Sequence, residues 1–328
     1  MPIISEPHEL LDSDIYVDLS VLLGHELYLK CEGFNFGGSV KMQAAAAMVE
    51  AAERDGVLRP GAKLVESSSG NLGIALSVVA ASKGIEFTCV TDCRCNASTL
   101  RLMAALGTNV VVIDEPDPVG GLLGARIRYV RHLCRSDPNY VWLNQYENPA
   151  NWVAHYDRTA VAIAKQFPEI DVLFVGAGTC GTLMGCARYF RDYSEDVRVV
   201  AVDSVGSANL GGPPGPRFIP GIGSSMPAPA LDLSLVSDTV FVSEVDTVRA
   251  CRALAARGFV FGGSTGTVVS GALEWLGRHD ADRSLTCVAI APDFGDRYLG
   301  TVYDDGWVVD NVGVEALTAQ FAQRRGPA

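Results

Sequence analysis

The residue with the clearest chemical promise is Lys41. It ends the glycine- and serine-rich run Asn35-Phe36-Gly37-Gly38-Ser39-Val40-Lys41, and an alanine-rich stretch, Met42 to Glu53, follows directly. That stretch reads as a helix, so the lysine stands at a helix start, where the backbone dipole already supplies positive charge. A cation is disfavoured there and its pKa is expected to fall. The neutral amine then becomes a nucleophile able to form Schiff bases with carbonyl compounds. The competing reading is a lysine that extends from the first turn into solvent. The segment alone leaves both open.

Three loops add to the chemistry. Gly176-Ala177-Gly178-Thr179-Cys180-Gly181 follows an apolar run and precedes a helical one, and Asp203 ends the next apolar run. This is the G-x-G-x-x-G dinucleotide fingerprint in its usual context. Its physical content is narrower: backbone amides at a helix N-terminus that hold a phosphate of any kind. Thr179 and Thr182 add hydroxyls suited to a compact phosphate monoester. A tight strand–helix turn that binds nothing is the plainer alternative. The second loop is Glu66-Ser67-Ser68-Ser69-Gly70-Asn71-Leu72-Gly73. An N-cap needs one hydroxyl or amide side chain. Three serines and an asparagine are a surplus that suits a bound carboxylate. The third, Gly262-Gly263-Ser264-Thr265-Gly266-Thr267, opens another helix. A nicotinamide dehydrogenase accounts for the first loop and leaves Lys41 and the other two unexplained.

These positions must be held by an alternation of apolar strands and helices, the pattern of an α/β fold with parallel sheets. Strands are expected at Glu26 to Cys31, Lys63 to Glu66, Phe87 to Thr91 and Asn109 to Asp114. Helices are expected at Met42 to Glu53, Leu72 to Ser82 and Ala97 to Leu106, the last two stopped by Gly84 and Gly107. Glu147 to Trp152 reads as a polar turn and a domain crossover. The expected domains are therefore residues 1–149 and 150–328, with roughly the first forty residues free to pack on the second. Beyond it come strands at Val172 to Val175, Val197 to Asp203 and Thr286 to Ala291. Helices begin at Thr182 and span Thr247 to Arg257 and Thr265 to Leu276. The long Gly/Pro/Ser loop Gly206 to Pro229 has the length of a functional loop.

With 328 residues, 48% of them hydrophobic, the chain can bury a large core. Its net charge of −12, without a basic run, argues against nucleic acid and anionic membrane as partners. Met1 to Asp14 is rich in charges and lacks an apolar core, and no apolar stretch reaches spanning length, so a cytoplasmic protein is expected. The nine cysteines are scattered. Cys93-Arg94-Cys95 lacks the spacing and partner pair of a zinc site, so no metal is expected.

Taken in order, the motifs resemble the fold-type II pyridoxal-phosphate enzymes, the cysteine synthase and cystathionine β-synthase group, from about Leu27 to Tyr303. They are the Asn…Ser-Val-Lys turn, the Ser-Ser-Gly-Asn loop, Gln145-Tyr146-Glu147-Asn148-Pro149, the Gly-x-Gly-Thr-x-Gly-Thr cup, Gly221-Ile222-Gly223 and a Gly-x-Ser-x-Gly loop. The resemblance implies two domains, each with a mostly parallel sheet flanked by helices, in the manner of the tryptophan synthase β subunit, and a homodimer. It implies that Lys41 carries pyridoxal phosphate as a Schiff base and moves the α-proton. Asn71 contacts the cofactor's 3-hydroxyl oxygen. Ser68, Ser69 and Gly70, with Gln145, bind the substrate α-carboxylate. Gly178, Thr179, Cys180, Gly181 and Thr182 hold the phosphate, and Ser264 meets the pyridine nitrogen. A serine there, in place of an aspartate, implies an unprotonated ring, which suits β-elimination over transamination.

The sequence departs from the sulfhydrylases at Phe36, at Met42-Gln43, at Leu72 and in Ser67-Ser68-Ser69. Ser-Ser-Ser-Gly-Asn-Leu-Gly, with Pro292-Asp293-Phe294-Gly295-Asp296-Arg297-Tyr298, is most similar to the family members that make N-(2-amino-2-carboxyethyl)-L-glutamate for 2,3-diaminopropionate. That likeness implies O-phospho-L-serine as first substrate and L-glutamate as nucleophile. A sulfhydrylase acting on O-acetyl- or O-phosphoserine is the alternative. Arg217 and Arg94 are the candidate cations for the substrate's anionic groups, each with a solvated surface arginine as its plainer reading.

Overall fold

Valine-, isoleucine- and cysteine-rich runs of five to seven residues bounded by turn residues become parallel strands, and the stretches between them become helices. The structure, a computed structural model, describes residues 3–11, 14–118, 120–319 and 321. Ten strands lie among the described residues: β1 Tyr16–Asp18, β2 Leu27–Cys31, β3 Lys63–Ser67, β4 Glu86–Asp92, β5 Asn109–Ile113, β6 Tyr140–Trp142, β7 Val172–Gly176, β8 Arg198–Ser204, β9 Asp238–Val242 and β10 Cys287–Ala291.

The chain forms two compact units. One comprises Met1–Asp12 and Phe34–Ala154, the other Ser13–Gly33 and His155–Ala328. The partition falls at Ala154/His155, where the sequence reading set it at 149/150.

The first unit holds a four-stranded sheet in the order β5-β4-β3-β6, parallel throughout. Its core gathers Met42, Met48 and Val49 of the helix Lys41–Arg54, Ile74, Leu76 and Val79 of the helix Asn71–Lys83, and Leu64 and Phe87 of the sheet. Close packing sets side-chain size: a Cβ on Gly73 would meet Met103 Sδ at 2.7 Å and Cys89 Sγ at 2.9 Å. The second unit holds a six-stranded sheet, β1-β2-β10-β7-β8-β9, parallel except for the antiparallel edge strand β1. Every residue of β10 is buried, as expected of a parallel strand covered on both faces.

The structure corrects the sequence reading in three places. Glu147 to Trp152 is not a plain turn. Asn148 Oδ1 accepts from Ala150 N–H (3.0 Å), and Pro149 begins a helix, Pro149–Ala154, which continues as a π-helical turn, His155–Ala160, and a further helix, Val161–Gln166. Proline at a first helical position loses no hydrogen bond, so the Asn-Pro pair reads as a turn while it starts a helix. The helix Gly121–Ser136 and strand β6 carry no expectation in the sequence, because the buried side of that helix offers Ala125, Arg126 and Val130 in place of an apolar stripe. The Thr247 helix begins earlier, at Glu244, because the Ser243 hydroxyl caps Asp246 N–H at 3.1 Å. Among the described residues no helix is long and apolar enough to cross a membrane.

Candidate active site

In the first unit Lys41 is the first residue of the helix Lys41–Arg54 and is half-buried. Its turn is braced by Asn35, whose amide donates to Ser39 C=O (3.0 Å) and accepts from Ser39 N–H (3.3 Å). Gly38 takes φ +63°, a conformation that favours glycine. At Gly37 a Cβ would meet Met42 Sδ at 2.8 Å and Ala75 Cα at 3.5 Å. The turn is thus wedged against the helix Asn71–Lys83, whose first residue is Asn71.

That second helix starts from the serine loop at the C-terminal end of β3. Ser68 Oγ accepts from Gly73 N–H (2.9 Å) and Gly70 N–H (3.3 Å), which bends the loop over the helix start. Gln145 donates through Nε2 to Ser67 C=O at 2.8 Å and is held in turn by Asn151, whose amide donates to Gln145 C=O at 2.7 Å. Asn144, at φ +55°, turns the chain into that position. Ser68, Gly70 and Gln145 therefore belong to one hydrogen-bonded loop system, and Ser69 and Asn71 lie half-buried beside them.

Two charged residues of this unit carry no sequence expectation. Glu66 is fully buried, yet Oε1 collects Ser67 N–H (2.8 Å) and Trp142 Nε1–H (2.9 Å), and Oε2 collects Gln145 N–H (3.2 Å). Burial pushes its carboxyl up to about 7 against the pull of those donors. Arg126, 7% exposed, lies 3.2 Å through Nε from Asp92 at the end of β4. Its Nη1 is buried and has no hydrogen-bond partner among the described residues. Its charge acts on the phenol of Tyr146, which reaches Ser67 C=O at 3.5 Å. By contrast Arg94 is exposed, 3.9 Å from Asp92. A hydrophobic-periodicity reading has no means to find Arg126, since a lone arginine on a basic helix looks like surface.

In the second unit the cup follows β7 and opens the helix Gly181–Tyr193. Cys180 takes φ +64°, a strained value for a residue with a side chain, and is buried. Gly178 is pressed so close that a Cβ would meet Gly221 C=O at 3.0 Å. Asn209 ties the long loop to the cup: its amide donates to Gly178 C=O (2.8 Å) and Ala177 C=O (3.3 Å), and it accepts from Ala228 N–H (3.0 Å). Thr182 Oγ1 lies 3.2 Å from Nε2 of the wholly buried His155. Arg217 donates to Ile222 C=O at 3.2 Å and acts on the carboxylates of Asp203 and Glu244. Asp203, which completes the dinucleotide fingerprint in sequence, is buried and accepts Ser204 N–H at 2.8 Å; burial pushes it up to about 6. It serves the turn after β8. Ser264, in the third loop, lies 5% exposed in the first turn of the helix Gly263–His279.

A lysine at a helix start, a hydroxyl-rich loop and a glycine-threonine turn at a helix N-terminus, all on α/β units, are the features on which the comparison with known proteins bears. The chain matches the family described as pyridoxal-phosphate dependent enzyme over residues 16–293, and it belongs to that family. Two relatives are each named N-(2-amino-2-carboxyethyl)-L-glutamate synthase. The one from Ralstonia nicotianae is 40% identical over 285 residues, 86% of this chain and 84% of the relative. The one from Cupriavidus metallidurans is 38% identical over 286 residues, with the same shares. Among solved structures, O-ureido-L-serine synthase matches with a TM-score of 0.85 at 32% identity, covering 95% of this chain and 96% of its own. A hydrogen sulfide-producing enzyme from Fusobacterium nucleatum matches at 0.84 and 29%, covering 90% and 100%.

The residues present fit the cofactor. A Cβ on Gly178 would press on the Gly221 carbonyl at 3.0 Å, so the turn before the helix keeps a bare backbone that a phosphate can approach. Gly181 and Thr182 open a helix of 13 residues, where backbone N–H groups lack intrahelical acceptors. Amides and hydroxyls without a nearby lysine or arginine in the motif suit a small phosphate monoester.

Proposed function

We propose that the protein joins O-phospho-L-serine to L-glutamate. The glutamate amine replaces phosphate on the β-carbon, giving N-(2-amino-2-carboxyethyl)-L-glutamate and inorganic phosphate. The reading draws on the names of relatives 40% and 38% identical to the chain. The structural observation that carries it is Arg126, a buried guanidinium with an unused donor beside the serine-loop system. Leaving such a donor unpaired is costly unless an anion completes it, and both proposed substrates bring an anion beyond the α-carboxylate.

Bound pyridoxal phosphate supplies the electron sink that allows the α-proton and the β-substituent to leave. Lys41 holds the cofactor through its amine and, once displaced by the substrate amine, carries the α-proton away and returns it. Asn71 braces the ring oxygen, and Ser264 meets the ring nitrogen. Ser68, Ser69, Gly70 and Gln145 orient the α-carboxylate, with Glu66 fixing Ser67 and Gln145. Gly178 through Thr182 anchor the phosphate. Arg217 and Arg94 are secondary candidates for the anionic groups. A homodimer in the cytoplasm, serving 2,3-diaminopropionate formation, completes the reading.

A sulfhydrylase is the second reading, favoured by the likeness to the hydrogen sulfide-producing enzyme at lower identity, 29%. Purified enzyme given phosphoserine with glutamate or sulfide separates the two. The proposal expects phosphate release coupled to glutamate; cysteine formed with sulfide and no product with glutamate would sink it.

A further inference from the structure

His155 is wholly buried in the second unit and stands between two threonine hydroxyls. Its Nδ1 lies 3.0 Å from Thr159 Oγ1, and its Nε2 lies 3.2 Å from Thr182 Oγ1. Both threonines are buried as well. Thr159 belongs to the same π-helical turn, His155–Ala160, and Thr182 is the second residue of the helix Gly181–Tyr193. Such turns are rare and recur at functional sites. This one is clamped to the helix beside it. The Tyr156 ring meets Tyr189 edge-on at 5.5 Å, and the Tyr156 hydroxyl donates to Asp192 Oδ2 at 2.9 Å. The imidazole is thereby set against the first turn of the helix that the cup opens.

A hydroxyl has one proton to give and two lone pairs to receive with. The oxygens of a phosphate dianion only receive. Thr182 can therefore serve a phosphate only while its own proton is uncommitted, which requires the neighbouring ring nitrogen to donate to Thr182. On the far side of the ring, the Thr159 hydroxyl can give or receive, so it holds the imidazole in either state. We propose that His155 is a positioning residue for the cofactor phosphate: it donates through Nε2 to Thr182 and leaves that hydroxyl's proton for the phosphate. The proposal rests on the reading that Thr182 holds the phosphate. The chain Thr159–His155–Thr182 then fixes one donor of the cup from behind, and His155 acts through Thr182 alone.

The test is cofactor affinity, by equilibrium titration, for wild type, H155N, H155Q, T182V and H155N/T182V, together with the imidazole 15N spectrum of the holoenzyme. An asparagine amide reaches only as far as Nδ1, whereas a glutamine amide reaches as far as Nε2 and replaces its donor. The proposal expects H155N to weaken pyridoxal phosphate binding about tenfold, as the loss of one hydrogen bond to a charged group does, and H155Q to stay within about twofold of wild type. It expects H155N/T182V to bind no more weakly than T182V, because the histidine has nothing left to act through. It also expects the His155 resonances, assigned by their loss in H155Q, to show a proton on Nε2. H155N as tight as wild type, H155Q as weak as H155N, an equal loss from H155N in both backgrounds, or a bare Nε2 would overturn the proposal and leave Thr182 in the cup. T182V as tight as wild type would overturn that reading and the proposal together. Should H155N fail to fold, the nitrogen spectrum decides by itself.

Discussion

Arg126 and Glu66 are buried charged residues beside the serine loop, and neither has a role that the sequence suggests. The buried Arg126 guanidinium lies 3.2 Å from Asp92, and its Nη1 has no hydrogen-bond partner among the described residues, a donor that an anionic substrate group would complete. R126A should therefore lower kcat/KM for phosphoserine plus glutamate roughly 30-fold or more, the usual consequence of removing one member of a desolvated charge pair. R126K should restore little, since an ammonium lacks the fork. R94A should stay near wild type because Arg94 is exposed. Steady-state kinetics check all three, and a wild-type-like R126A would remove Arg126 from the site. Glu66 makes a different prediction. Its folded carboxyl keeps a proton up to about 7, against an ordinary 4.5. The stability contributed by that difference is complete below the ordinary value and is lost as pH rises towards 7, up to roughly 3 kcal/mol. Asp203, pushed up to about 6, adds in the same direction. Melting temperatures from pH 4.5 to 7.5 should fall more steeply for wild type than for E66Q; parallel curves would contradict the assignment.

At the scale of elements, several of these groups stand where a parallel strand gives way to a helix: Ser67 ends β3, Asp92 ends β4 and the cup follows β7. The strands and helices bearing the three glycine loops were legible because apolar runs and glycine stops recur with the right spacing. What was not legible lies in side chains that act across elements. Asn209 sits within a loop that reads only as glycine and proline, yet its amide spans two cup carbonyls. His155 sits in a π-helical turn that no 3.6-residue period predicts. N209A should remove the amide donor from Gly178 C=O and the acceptor from Ala228 N–H, while Ala177 C=O keeps Gly223 N–H, at about 1–3 kcal/mol. Cofactor affinity should fall about tenfold, while saturated enzyme keeps its Lys41-dependent visible absorbance. Equilibrium titration checks this, and unchanged affinity would show that the loop does not shape the cup.

Over the whole molecule, a net charge of −12 stands against the proposed substrates, which are themselves anions. Such a protein cannot attract them by its general field, so selectivity has to come from a few buried donors placed by the fold. The sequence exposed the lysine, the serine loop and the cup through their order, and hid the cation because burial is a property of packing. It also displayed a dinucleotide fingerprint whose acidic member, Asp203, turns out to hold its own turn. The most direct test of the account supplies O-phospho-L-serine with 15N-labelled L-glutamate and identifies the product by mass spectrometry. The account predicts one labelled molecule containing both carbon skeletons, joined at the labelled nitrogen, for each phosphate released. Phosphate release with unlabelled pyruvate, and glutamate recovered intact, would contradict it.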